Sequence, residues 1–148
     1  MPRLKPKERT AVPVIGWRER VSLPALGVGL IVAKVDTGAR TAALHATDIR
    51  IRNYQVDFIV PVNNRHYHCR LPLKGQKRVK STSGHSQVRA VVETEIKIGL
   101  DRYVIDMTLT DRSDMGVPML LGRASITGRY LVDAGKSYLL SPKKRPVP

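Results

Sequence analysis

Short stretches of alternating apolar and polar residues, separated by turn-forming residues, run along most of this sequence. Val56–Val62 alternates cleanly and is followed by Asn63 and Asn64, and the long stretch Gln87–Ile98 ends at Gly99. A period of two residues is that of a β-strand with one buried face, and asparagine and glycine favour tight hairpin turns. Helical periodicity is scarce. The pattern predicts an all-β fold, either a small closed barrel or a sandwich.

The other predicted elements are short, and two stretches leave alternatives open. Arg40–Ala46 suits either a helical turn or a strand. Pro72–Ser86 is rich in Lys, Ser, Thr and Gly, which is typical of an exposed loop or of a hairpin tip. Arg123–Thr127 is predicted to form one helical turn. Strands are predicted, in chain order, at Val12–Ile15, Arg18–Leu23, Leu30–Val35, Asp48–Arg52, Val56–Val62, Tyr67–Leu71, Gln87–Ile98, Tyr103–Leu109, Pro118–Leu121, Tyr130–Val132 and Ser137–Leu140.

The length of 148 residues predicts a single domain that can bury a core without disulfides or metal ions. We expect this domain at residues 11–140, between disordered basic tails at 1–10 and 141–148 that are rich in Pro, Lys and Arg. Cys69 is the only cysteine, which fits a reducing compartment. Because the sequence shows neither a signal peptide nor a membrane-spanning stretch, the expected location is the cytoplasm.

The chain carries a formal net charge of +14, and its basic residues are unevenly placed. No acidic residue occurs from Phe58 to Val92. A surface of this kind attracts polyanions such as RNA, a ribosome or an acidic polypeptide, and a merely solvated basic face is the simpler alternative. The basic residues of this acid-free stretch are Arg65, Arg70, Lys74, Lys77, Arg78, Lys80 and Arg89.

One carboxylate stands at the end of a predicted buried strand. The apolar run Val28–Ala33 leads, through Lys34 and Val35, into Asp36-Thr37-Gly38-Ala39. Glycine allows a sharp turn, and a threonine hydroxyl can hydrogen-bond within such a loop. Aspartic proteases use an acid placed in this way, paired with a second one, to activate water.

The Asp-Thr-Gly motif occurs only once, so a catalytic pair needs a second acid. A homodimer with two-fold symmetry would place Asp36 opposite its own copy. The alternative is an acid of the same chain, for which Asp111, Asp114 and Asp133 are the candidates. Their neighbours suggest hydrogen bonding within loops instead.

A second segment supports the interpretation of the Asp-Thr-Gly loop. Pro118–Leu121 is an apolar strand stopped by Gly122 and followed by Arg123, and retroviral-type proteases pair their Asp-Thr-Gly loop with such a segment. The stretch between the two contains Gly75 and Gly84, which suit a flexible flap over a substrate. Further segments share the pattern of one family: Gly16–Glu19, Val21–Pro24, Ala33–Thr41, Ala43–Ala46, Val79–Ser81, Gly84–Ser86, Leu109–Arg112, Asp114–Gly116, Met119–Arg123 and Leu131–Asp133. Through them the chain from Val14 to Leu140 resembles the RimB-like, or RimK-associated, retropepsin-like proteases, a bacterial group also labelled ATP-dependent zinc proteases.

The resemblance implies a retropepsin-like closed barrel with a flap hairpin and aspartic peptidase chemistry. It also implies a link to ATP-grasp glutamate ligases that extend a ribosomal protein, whose glutamate tails the peptidase would trim. Arg40 stands where viral enzymes usually carry Asp, which makes it a candidate for binding glutamate side chains. The site residues expected on this basis are Asp36, Thr37 and Gly38 for catalysis, Ala39, Arg40, Lys80, Ser81, Gly84 and His85 for substrate binding, and Leu121, Gly122 and Arg123 for structural support.

Two other functions compete with this interpretation. A non-catalytic RNA- or ribosome-binding β-barrel would explain the charge, but few aromatic residues are available for base stacking. A zinc-dependent peptidase would need ligands, and the sequence has neither a His-Glu-x-x-His motif nor paired Cys-x-x-Cys motifs. We therefore predict no metal ligand and no cofactor. The side chains that such a zinc site would draw on are His45, His66, His68, Cys69 and His85.

Overall fold

The computed structural model describes residues 11–80 and 84–141, and within them nearly all regular structure is β-strand. Three single turns of 3-10 helix occur there, at Pro24–Leu26, Ser113–Met115 and Arg123–Ser125. No helix of the described part is long and apolar enough to cross a membrane. The strands are β1 (Val14–Gly16), β2 (Arg18–Leu23), β3 (Val28–Val35), β4 (Ala42–His45), β5 (Thr47–Arg52), β6 (Gln55–Val62), β7 (Arg65–Pro72), β8 (Gly75–Lys80), β9 (Ser86–Ile98), β10 (Asp101–Thr110), β11 (Met119–Leu121) and β12 (Leu131–Asp133).

Six strands form a closed barrel. Their order is β10-β4-β11-β3-β2-β9, and the pairing of β9 with β10 completes the circle. Closure leaves these strands without a free edge and gives each of them an inward face. Of the two alternatives that the alternating pattern predicted, a barrel and a sandwich, the closed barrel is confirmed, as the resemblance also implied.

Strand β9 belongs to the barrel through only part of its length. From Ala90 onward every second side chain is buried, ending at Ile98, whereas residues 86–88 are exposed. The exposed part pairs with β8, which forms the other arm of a hairpin and the outer edge of the sheet. The flap therefore extends directly from a barrel strand.

A second sheet covers one side of the core. Strands β5, β6 and β7 form an antiparallel meander whose inward face carries Val56, Phe58, Val60 and Val62. These four side chains join the hydrophobic core of the barrel. Strands β1 and β12 form a separate parallel pair.

The structure decides between the alternatives for the two open stretches. Arg40–Ala46 contains a strand, β4, and Pro72–Ser86 contains one arm of a hairpin, β8, which pairs with β9. The helical turn predicted from Arg123 is present as a 3-10 helix, but the turns at Pro24–Leu26 and Ser113–Met115 were not predicted.

The strand predicted at Ser137–Leu140 is wrong. Backbone amides of Leu139 and Leu140 donate to the carboxylate of Glu19 instead of to a neighbouring strand. A side chain has thus taken the place of a sheet partner. Of the tails predicted at 1–10 and 141–148, all residues except Ser141 lie outside the described part, and Ser141 is buried.

Candidate active site

The Asp36 loop owes its position to the insertion of one strand between two others. Strand β11 lies between β3 and β4, parallel to the first and antiparallel to the second. The chain that connects β3 to β4 must therefore cross the end of β11. At this crossing the backbone N–H of Asp36 donates to the carbonyl of Leu121 at 2.9 Å.

The Asp36 side chain is oriented by its own turn. The amide of Gly38 donates to Oδ1 at 3.1 Å, and the amide of Ala39 donates to the Asp36 carbonyl at 3.2 Å. The side chain is half-buried, while Thr37 and Gly38 are exposed. The turn thus holds the carboxylate in a fixed orientation just beyond the end of β3, where solvent can reach it.

Gly122 and Arg123, which follow β11, pack against the Asp36 loop. The amides of Arg123 and Ala124 donate to the carbonyls of Ala39 and Arg40 at 2.8 and 2.9 Å, and Arg123 Nη1 donates to the Thr37 carbonyl at 2.8 Å. A Cβ atom on Gly122 would lie 2.7 Å from the Arg40 carbonyl oxygen, closer than real contacts allow. The structure therefore brings the expected support residues against the expected catalytic loop.

A pocket of about 560 Å³ lies between the Asp36 loop and the flap. Six of its lining residues are cationic, and within the described part of the chain Asp36 is its one acidic lining residue. The lining residues are Asp36, Gly38, Ala39, Arg40, Thr41, Ala43, Lys77, Arg78, Val79, Lys80, Arg89, Thr108, Arg112 and Leu120.

The cations of this pocket interact with the Asp36 loop and with one another. Lys77 Nζ donates to the Thr41 hydroxyl at 2.6 Å, which connects the flap to the Asp36 loop. Burial, and secondarily the positive charge of Arg112, lower the pKa of the Arg89 guanidinium from its ordinary value. The pocket thus has a strongly positive potential that favours an anionic ligand.

The expected substrate-binding residues divide into three groups. Ala39, Arg40 and Lys80 line the pocket, whereas Gly84 and His85 are exposed and do not line it. Ser81 lies outside the described residues. The lining residues that the sequence interpretation did not assign to the site are Thr41, Ala43, Lys77, Arg78, Val79, Arg89, Thr108, Arg112 and Leu120.

Part of this larger set had a signal in the sequence. Lys77, Arg78 and Arg89 belong to the acid-free stretch, so they could have been assigned together with Lys80. No such signal exists for Thr108 and Arg112, because nothing local indicates that β10, and with it the residues that follow, runs beside β4.

The other acids that were considered as a partner for Asp36 do not line the pocket. Asp114 accepts from Arg112 Nε at 3.2 Å, which lowers the pKa of its carboxyl group. Asp133 accepts from the amide of Gly135 at 2.9 Å, and Asp111 is exposed. These contacts are the loop hydrogen bonds that the sequence suggested for Asp114 and Asp133.

The histidines and the cysteine are dispersed. His66 and His68 lie exposed on one face of β7, while Cys69 is buried on the other, and burial raises the pKa of its thiol. His45 Nδ1 accepts from the amide of Arg112 at 3.0 Å. Among the described residues no three side chains of the His, Cys, Asp and Glu types come together as a metal site.

Comparison with known proteins agrees with this geometry. Residues 14–143 match a family described as RimB-like, retropepsin-like aspartic endopeptidase RimB. A crystal structure of a Legionella pneumophila protein of unknown function superposes with a TM-score of 0.74 at 28% identity, covering 88% of this chain and 99% of that one.

Curated relatives carry another name. A protein of Shewanella pealeana named probable alpha-L-glutamate ligase is 36% identical over 138 residues, which is 88% of this chain and 30% of the relative. One of Parasynechococcus marenigrum with the same name is 39% identical over 135 residues, or 86% and 29%. The chain thus spans less than a third of the length of these relatives. Its match over nearly all of its own length shows that it belongs to the RimB-like family of retropepsin-like aspartic endopeptidases.

Proposed function

We propose that this protein is an aspartic peptidase that trims acidic, glutamate-extended C-termini of polypeptides. The observation that carries the proposal is the placement of Asp36 as the one described acid in a pocket lined by six cations. The carboxylate supplies the chemistry, and the cations supply the attraction for an acidic chain. Family membership supports the peptidase part.

Hydrolysis requires a second carboxylate, and a second copy of the chain is its proposed source. One carboxylate would accept a proton from water as the water oxygen attacks the carbonyl carbon, while the other, protonated, hydrogen-bonds the carbonyl oxygen. Collapse of the tetrahedral intermediate then breaks the C–N bond, and the leaving amine takes the proton that the first carboxylate accepted from water. Thr37 and Gly38 are exposed beside Asp36, so a partner copy has access to the site.

The relatives support the choice of glutamate. A segment similar to 86–88% of this chain makes up 29–30% of two relatives named probable alpha-L-glutamate ligase. Occurrence in one polypeptide commonly reflects related activities, so a peptidase that removes what a ligase adds is a coherent pair. We therefore propose an ATP-grasp glutamate ligase as functional partner and a glutamate-extended ribosomal protein as substrate.

The decisive experiment compares wild type with Asp36→Asn. A synthetic peptide with a C-terminal tail of glutamates is incubated with each protein, and products are identified by mass spectrometry. We expect cleavage within the tail by wild type and none by Asp36→Asn, with both proteins unfolding at similar temperatures. Cleavage by the variant would contradict the mechanism.

Two further arms address the competing functions. Loss of activity in a chelator, with recovery on addition of Zn²⁺, would favour a zinc-dependent peptidase. Tight binding of RNA without peptide cleavage would favour a binding module. Neither result is expected, because the described residues bring together no metal-ligand cluster and place a carboxylate among the pocket cations.

A further inference from the structure

Arg89 lies in the wall of the pocket, where the flap joins the barrel. It is half-buried and stands on β9 between the exposed residues 86–88 and the buried Ala90. Its Nε donates to Gln87 Oε1 at 2.9 Å, and the same oxygen accepts from Thr110 Oγ1 at 3.4 Å. Gln87 therefore fixes the guanidinium through one nitrogen. The two terminal nitrogens make no hydrogen bond to the described residues.

Several basic residues elsewhere on these sheets have acidic partners. Arg102 pairs with Glu95 at 2.6 Å, and Lys74 contacts Glu93 and Asp106 at 3.0 and 2.7 Å. Arg112, in the pocket, is partly neutralised by Asp114.

Arg89 has no acidic partner among the described residues, and its charged neighbour is Arg112. Withdrawing a cation from water beside another cation costs free energy unless an anion is bound there. A bound anionic ligand would offset this cost.

We propose that Arg89 is a specificity-determining residue that binds the side-chain carboxylate of a substrate glutamate through its two terminal nitrogens. The planar fork of a guanidinium matches a carboxylate with two parallel hydrogen bonds, whereas a glutamine amide offers one acceptor and one clashing donor. Arg89 would thus distinguish glutamate from glutamine, and Arg112 would add positive potential. The inference rests on the proposed peptidase function and assigns one residue its substrate preference.

The test uses two peptides that differ only in a tail of glutamates or glutamines. Wild type, Arg89→Gln and Arg89→Lys are compared by kcat/KM. The charge-matched control is Lys97→Gln, which removes one positive charge from an exposed position of the same strand outside the pocket. Because Arg89→Gln loses a charge-assisted pair of hydrogen bonds, we expect its kcat/KM for the glutamate peptide to fall roughly 10- to 100-fold. The kcat/KM of Arg89→Lys for this peptide is expected to lie between those of wild type and Arg89→Gln, and that of Lys97→Gln is expected to stay near the wild-type value.

The glutamine peptide separates recognition from structure. Its kcat/KM should be low in wild type and unchanged in Arg89→Gln, so that the ratio of the two substrates collapses. An equal loss for both peptides, or an equal loss in Lys97→Gln, would overturn the assignment.

Binding separates this inference from the proposed reaction. A labelled glutamate peptide is titrated into Asp36→Asn and into Asp36→Asn combined with Arg89→Gln. Weaker binding by the double variant would support the role of Arg89 even if wild type cleaved nothing, in which case only the proposed hydrolysis would fail. Equal binding by the single and the double variant, or no binding by either, would overturn the role assigned to Arg89.

Discussion

Glu19 is a fully buried carboxylate whose contacts are all with backbone amides and one hydroxyl. Its two oxygens accept from the amides of Gly16, Leu139, Leu140 and Ser141 and from the Ser141 hydroxyl, at 2.7 to 3.2 Å. One side chain thus fastens the last described segment to β2. This is why the segment needs no strand partner.

We expect Glu19→Gln to destabilise the protein strongly despite its nearly equal size. Whichever way the amide is turned, its NH₂ group meets at least two N–H donors that previously had an acceptor. The loss is expected to be about 2–4 kcal/mol in the free energy of unfolding, measured by urea denaturation. Glu95→Gln, which removes a surface pair with Arg102, should cost less than about 1 kcal/mol. Similar losses in both variants would contradict this role.

Gly122 is required because two backbones approach each other closely. An added Cβ would stand 2.6 Å from the Thr41 carbonyl carbon, so Gly122→Ala must displace the Asp36 loop. We expect a stability loss of about 1–3 kcal/mol and a fall in kcat/KM of about 10²-fold or more, since small displacements of catalytic groups are costly. Gly29→Ala, on β3 with open space around its Cβ position, is the control. Normal activity in Gly122→Ala would refute the packing argument.

At the scale of elements, the flap is the least supported part of the described sheet. Strand β8 pairs only with β9, at the sheet edge, and none of its residues is buried. Few buried contacts permit local opening at low cost in free energy. The flap can therefore move while the barrel keeps its shape.

Hydrogen exchange should divide β9 into two parts. Amides of β8 and of residues 86–89 should exchange faster than those of residues 92–98 in the barrel. Adding an uncleaved glutamate peptide to Asp36→Asn should slow exchange in the flap, because the ligand would bridge flap and loop, and should leave the barrel unchanged. Mass spectrometry of peptic fragments measures both. Equal protection throughout β9 would show that the flap does not open separately.

At the scale of the whole molecule, one chain presents only half of the expected pair of acids. If activity requires two Asp36 residues across a two-fold axis, an equal mixture of wild type and Asp36→Asn should retain about a quarter of the activity after subunits exchange. A chain that works alone would retain about half. Sedimentation under the same conditions should give about twice the monomer mass of 16.5 kDa. A monomer retaining half the activity would place the second acid within the chain.

Much of the fold was predictable because alternation reports directly which strand face is buried. Val56–Val62 and Gln87–Ile98 show this, and both are strands in the structure. Ser137–Leu140 fails because alternation does not reveal whether a strand partner is available. Glu19 lies on the inward face of β2, where a charged residue reads as an irregularity rather than as an anchor.

The strand pattern, the turn that carries Asp36 and the basic, acid-free stretch that contains the flap can all be read from the sequence. These are local properties, set by side-chain periodicity and backbone freedom. The sequence does not show that Arg89 and Arg112, from different segments, line one pocket with Asp36. They meet there because barrel closure joins β9, β10 and β4 edge to edge, and this pairing of distant strands brings their side chains around one cavity.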